Sequence, residues 1–160
     1  MPQRQSPIAV IVTALEVETR AVLRQLGRHT VETVNGTGFF KGQFDGWDIA
    51  VVEAGPGNAG AAAIAVRALE HYKPHVALFV GVAGGVKDVA IGDVVVAAKV
   101  YGYESGKDAA KGFQTRPDVQ NTAHALEQRA RIIRQANDWR SRLDPAIKHE
   151  KLSGASLKAF

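Results

Sequence analysis

The sequence has 160 residues, 46% of them hydrophobic and 22% charged, with a formal net charge of +4 and no cysteine. That composition suits a domain long enough to bury a core, and the missing cysteines exclude a disulfide scaffold, a cysteine-ligated zinc site and a thiol nucleophile. Charged residues interrupt every apolar run before it reaches the length of a membrane span, and the polar start at residues 1–7 lacks the shape of a signal peptide, so the expected location is the cytoplasm.

Ile8 to Thr13 (IAVIVT) is a short β-branched run, the pattern of a strand covered on both faces. Leu15 to Leu26 predicts a helix with Leu15, Ala21, Val22, Leu23 and Leu26 as its apolar positions and Gly27 as its C-cap. From Thr30 to Glu53 short strands are punctuated by glycines, and Asp45-Gly46 predicts a hairpin whose return strand is Trp47 to Glu53. Gly55-Pro56-Gly57-Asn58-Ala59-Gly60 opens an alanine-rich helix that reaches Tyr72 and stops at Lys73-Pro74. Val76 to Val80 is a second buried strand, ending in the glycine loop Gly81-Val82-Ala83-Gly84-Gly85. Val94 to Val100 reads as another strand, and the chain beyond Tyr103 as a polar loop to Asp118. Asn121 to Arg142 predicts a helix with Ala125, Ala130, Ile132, Ile133, Ala136 and Trp139 facing a core. Residues 143–160 show no period and read as a loose basic tail.

Strands alternating with helices, plus a hairpin, predict one α/β domain over residues 1–160 around a mixed sheet. The chain closes on a helix and a tail with no final strand to pair, so the sheet is expected to be incomplete at its C-terminal end. Residues 1–80 balance seven basic against seven acidic side chains, whereas residues 129–160 hold eight basic residues against Asp138, Asp144 and Glu150. No pattern of interleaved aromatics suggests base stacking there, so the stretch reads as a solvated helix face and nucleic acid is not an expected partner.

GPGNAG at 55–60 matches the dinucleotide pattern G-x-G-x-x-G, where glycines admit a close ligand and free N–H groups at a helix start attract polar groups. That fingerprint also needs an acid at the end of the next strand to hold a ribose. Gly81, Val82 and Ala83 stand there instead, which argues against a nicotinamide or flavin site. Two glycine-rich strand ends remain, and ligands of open α/β sheets bind beyond the carboxyl ends of strands; alternatively, the glycines only make tight turns. Glu16 and Glu18 fall at the start of the first helix, where acids complement the helix dipole. Two residues apart on a helix, they point in different directions. One of them facing a pocket would be a general base for water.

The segments IAVIVTALEVE at 8–18, EAGPGNAGAAAIAVRALEHYKPHVALFVGVAGGV at 53–86 and IGDVVVAAKVYGYESG at 91–106 occur in an order that resembles the nucleoside phosphorylase and nucleosidase superfamily. Within it the chain is most similar to the branch containing methylthioadenosine/S-adenosylhomocysteine nucleosidase. The resemblance implies a three-layer α/β/α fold with a mixed central sheet, nucleoside phosphorylase-like. It implies hydrolysis of the N-glycosidic bond of a purine nucleoside or nucleotide, with no metal or cofactor, by a homo-oligomer, a dimer first. Phosphorolysis and a non-catalytic nucleotide-binding module are the alternatives. By position, Glu18 matches the glutamate that activates the attacking water, and Glu16 matches a structural neighbour. Ala14 would line the water and ribose side, Gly55, Pro56 and Gly57 would close over the sugar, and Val82, Ala83 and Gly84 would run beside base and ribose.

Four departures matter. Val82 stands where the nucleosidases commonly have serine, and Pro56 where an aliphatic residue is usual. Thr13-Ala14-Leu15 replaces the arginine-bearing phosphate loop of the phosphorylases, which favours water as the nucleophile. The family's Met-Glu segment for the ribose hydroxyls and its Asp for the departing purine have no match in residues 107–160, where Asp138 and Asp144 lie in or beside the last helix. The chain is therefore expected to hold the water side of the site and to lack the base side. The stretch at 101–118 also resembles nucleosidase-type domains at the start of larger bacterial proteins.

Overall fold

The computed structural model describes residues 6–110, 112–136, 138–142 and 157–159. Contacts gather into two compact units, residues 1–83 and 84–160. In the first, β1 (Ile8–Thr13), α1 (Glu16–Leu26), β2 (His29–Val34), β3 (Thr37–Phe44), β4 (Trp47–Glu53), α2 (Asn58–Tyr72) and β5 (Val76–Phe79) follow one another. The sheet order is β2-β3-β4-β1-β5.

The sheet is mixed because its connections are of two kinds. Asn35-Gly36 and Asp45-Gly46 all have positive φ (47°, 77°, 48° and 79°), the backbone of two-residue hairpin turns that match strand twist. They join β2 to β3 and β3 to β4 as antiparallel neighbours. β1 pairs in parallel with both β4 and β5, and such pairs need crossovers, which the helices supply.

Alternation along β1 then divides the core. Val10 and Val12 pack with Phe39, Ala50, Val52 and Ala68, bringing Ile64 and Tyr72 of α2 onto that face. Ala9 packs with Ile49, Val51 and Leu26, bringing Val22 and Leu23 of α1 onto the other. The unit is thus the expected α/β/α sandwich. Tyr72 closes its α2 side: its ring meets Phe39 edge-on at 5.2 Å, and its hydroxyl donates to Glu32 Oε2 at 2.7 Å. Burial first, then the neighbouring Glu32 carboxylate, raises the phenol above its ordinary pKa.

One expectation changes here. Val76 to Val80 is not a buried strand: β5 ends at Phe79, and Leu78 and Phe79 are 39% and 65% exposed. Its run of apolar residues suits cover on both faces, yet it lies at the edge of this sheet.

The second unit departs further from the sequence reading. Val94 to Val100 splits into β6 (Val94–Val96) and β7 (Lys99–Gly102), because each takes a different partner. β7 runs antiparallel to β10 (Asp118–Asn121), and β6 runs parallel to β11 (Leu157–Ala159). The polar loop to Asp118 instead contains a hairpin of β8 (Gly106–Ala109) and β9 (Gly112–Thr115). A final strand therefore does exist, contrary to expectation, but it pairs only with β6 and adds nothing to the five-stranded sheet. Helix α3 spans only His124–Ala136 and is followed by a 3-10 turn at Trp139–Arg142. Of its expected core positions Ala130 is buried, Ile133 and Trp139 are half-buried, and Ala125, Ile132 and Ala136 are exposed. The rest of the expected basic tail, residues 143–156 and 160, lies outside the described residues.

Phe39 is fully buried at the centre of the α2-side core. Phe39→Ala is expected to cost about 3–5 kcal/mol in urea denaturation, whereas Phe44→Ala, at a half-exposed position, stays within about 0.5 kcal/mol.

Candidate functional site

The parallel arrangement brings the carboxyl ends of β4, β1 and β5 to one edge of the sheet. Thr13 and Glu53 are register partners, the Ala54 N–H donates to the Thr13 carbonyl at 2.8 Å, and the Val80 N–H donates to the Val12 carbonyl at 2.9 Å. The chain leaves β1 through Ala14 and Leu15 and enters α1 with Glu18 in its first turn.

Glu18 is buried at that edge, 7% exposed. Its Oε2 accepts the Ala14 and Leu15 N–H groups, both at 2.9 Å, and its Oε1 accepts the Val82 N–H at 2.9 Å. The bond to Leu15 is the carboxylate half of a capping box, which alone would be a structural role. Capping does not account for Oε1, which reaches past the helix to the segment following β5. A carboxylate has about four acceptor positions. Three N–H groups fill three of them, so one remains, on Oε1.

Gly81 makes this approach possible. A Cβ there would lie 2.6 Å from Glu18 Oε1, well inside contact distance, so any other residue at 81 would push the carboxylate out of this position. The Val82 N–H lowers the Glu18 pKa most, partial desolvation opposes it, and the Ala14 and Leu15 N–H groups lower it further. A lowered native pKa means that the ionised form favours the fold. That contribution is complete above the ordinary glutamate range and is lost as the pH falls through the lowered native value.

The other expected residues are placed as follows. Ala14 and Val82 meet Glu18 through their backbones, so the serine-to-valine departure at 82 leaves this contact intact. The Val82 side chain is 79% exposed, and Ala83 is exposed beside it. Gly55 and Gly57 follow β4 with φ of 73° and 104°, Pro56 between them is exposed, and Gly57 caps α2. Gly84 falls in the second unit, where a Cβ on it would meet open space. Glu16 points outward into a 2.5 Å ion pair with Arg20. The sequence reading missed Leu15 and Gly81, the one acting through its N–H and the other through a missing side chain. Among the described residues no group of three or more His, Asp or Glu could hold a metal ion, and no helix is long and apolar enough to cross a membrane.

Residues 8–147 match the family model described as the Phosphorylase superfamily. The 5′-methylthioadenosine/S-adenosylhomocysteine nucleosidase of Shewanella halifaxensis is 31% identical over 125 residues, which cover 72% of this chain and 54% of that protein. The chain thus spans about half the length of the curated relatives it matches. A mutant Helicobacter pylori MTAN with 5′-methylthioadenosine in its active site has a TM-score of 0.72 at 23% identity, covering 96% of this chain and 62% of that one. The Colwellia psychrerythraea nucleosidase in complex with adenine has a TM-score of 0.69 at 24% identity, covering 97% and 60%. These likenesses establish the mixed-sheet, nucleoside phosphorylase-like fold.

Gly81→Ala is expected to displace the carboxylate from the Val82 N–H. The melting temperature should fall by at least about 4 °C, and the acid-side loss of stability should move to higher pH, both read by thermal denaturation across a pH series.

Proposed function

The chain belongs to the phosphorylase superfamily, and we propose on that footing that it supplies the water-activating side of a hydrolase cleaving the N-glycosidic bond of a purine nucleoside. One observation carries the reading: a buried glutamate, kept ionised by three backbone N–H groups, retains a single acceptor position at the carboxyl ends of the parallel strands. The names of the relatives supply the substrate class, a 5′-substituted adenine nucleoside.

In this reading a water donates one hydrogen bond to Glu18 Oε1. As the bond between ribosyl carbon and purine nitrogen breaks, positive charge builds on the sugar and the water oxygen attacks that carbon. Glu18 takes the proton the water sheds, the general-base role. The electron pair of the broken bond leaves with the purine, which takes up a proton in turn. The lowered pKa suits the role in one respect, since the base form is present throughout the neutral range. The positive-φ turn at Gly55-Pro56-Gly57 and the Val82-Ala83-Gly84 segment are assigned to the sugar and base sides by the family resemblance. Residues 1–160 belong, in the same reading, to one nucleosidase-like domain of a cytoplasmic homo-oligomer.

Glu18→Gln keeps the size of the side chain and removes its basicity. In the gene product carrying these residues it is expected to lower the rate of adenine release from 5′-methylthioadenosine by about 10²–10⁴-fold, with folding intact by circular dichroism. Unimpaired release by that variant would overturn the assignment. Light scattering on the same protein is expected to give the mass of a dimer, and a monomer at all concentrations would remove the oligomer from the reading.

A further inference from the structure

Beneath the Glu18 loop lies a second polar group, buried and independent of the three N–H donors. Thr13, the last residue of β1, is 0% exposed, and Thr19, one residue past Glu18, is 3% exposed. Their hydroxyl oxygens are 2.7 Å apart. Thr19 Oγ1 also lies 3.0 Å from Glu53 Oε2 and 3.1 Å from the Leu15 carbonyl, and Thr13 Oγ1 lies 3.4 Å from the Val52 carbonyl.

Two hydroxyls have two protons to place, and the distances decide where they go. The Leu15 carbonyl already accepts the Glu18 and Thr19 N–H groups, both at 3.0 Å, so its two lone pairs are taken. If Thr19 donated to Thr13, the Thr13 proton would be left with Val52 at 3.4 Å, beyond the usual O–H···O range, and Glu53 would lose its donor. The remaining arrangement is directional: Thr13 donates to Thr19, and Thr19 donates to the Glu53 carboxylate, a charge-assisted bond at the end of a short chain.

We infer that Thr19, held between Thr13 and the Glu53 carboxylate, is a positioning residue for Glu18. The chain spans the two ends of the 14–18 loop. Thr13 immediately precedes Ala14 and Leu15, whose N–H groups hold Glu18 Oε2, and Thr19 immediately follows Glu18 itself. Register places Thr13 and Glu53 side by side on adjacent strands, so Thr19 fastens the first turn of α1 to both β1 and β4. Without the Thr19 hydroxyl that turn can shift over the strand ends, and the free acceptor position on Oε1 shifts with it. The inference rests on Glu18 being the water-activating base and assigns what aims it.

The test uses the gene product carrying these residues, with 5′-methylthioadenosine as the probe. Thr19→Val is expected to lower kcat at least about tenfold while KM changes less than about twofold, because misplacing the base costs rate before it costs binding. Thr19→Ser keeps the hydroxyl and is expected to recover most of that loss. Glu53→Gln, at an exposed position, keeps an acceptor without the charge and should lower kcat in the same direction by a smaller factor. The Glu18 carboxyl, followed by ¹³C NMR, should titrate at higher pH in Thr19→Val and return in Thr19→Ser, whether or not the protein turns over. Unchanged kcat and unchanged Glu18 titration in Thr19→Val overturn the positioning role, as does a serine variant that fails equally. If Thr19→Val does not fold, Glu53→Gln decides by the same two measurements. Failure of the wild-type protein or of Glu18→Gln to behave as a nucleosidase should, overturns the hydrolase reading instead, and the titration then decides the positioning role alone.

Discussion

A single carboxylate joins the end of β1, the start of α1 and the segment after β5. Glu18 does so by accepting three backbone N–H groups, none of which depends on the identity of the donating side chain. Such a bond set needs close backbone approach, and the missing Cβ of Gly81 permits it. The carboxylate is thus held ionised and in one orientation, with its remaining acceptor position on one oxygen. A water-directed base needs both conditions.

The sheet makes that convergence possible. β1 lies between two parallel neighbours, so three carboxyl ends reach the same edge, while the hairpins of β2 to β4 extend the sheet on the other side. Apolar residues on both faces of β1 and β4 anchor α1 and α2 separately. The first turn of α1 therefore sits on a packed platform, and its polar partners, Thr13, Thr19 and Glu53, lie where that platform ends. Fastening of this kind is local and directional, which hydrophobic packing alone does not supply.

Much of the first unit could be read along the chain, because its signals are short-range. The β-branched IAVIVT run, the Asp45-Gly46 turn and the Lys73-Pro74 stop mark elements that the structure reproduces to within a residue or so. Asn35-Gly36 carries an equally strong turn signal. The second unit was harder to read. β8 and β9 are polar, and β6 and β7 divide a continuous valine-rich stretch because their partners lie far along the chain, at Leu157–Ala159 and Asp118–Asn121. Pairing between distant segments leaves little local trace when neither face is deeply buried. The apolar pattern past Ala136 likewise suggested more helix than forms.

By itself, the sequence determined which residues could do chemistry here. It allowed no thiol, offered a pair of glutamates at a helix start, placed two glycine-rich turns at strand ends, and arranged them as the superfamily does. The resemblance already favoured Glu18 over Glu16, and the tertiary structure decided what each carboxylate meets. It sent Glu16 outward to Arg20 and turned Glu18 inward to Val82, sixty-four residues away. It also recruited Leu15, Gly81, Thr13, Thr19 and Glu53, whose parts come from backbone donors, an absent side chain and register. The physical reason is that hydrogen bonding at a site depends on where donors and acceptors are brought together, and residue type alone leaves that open until the strands are paired.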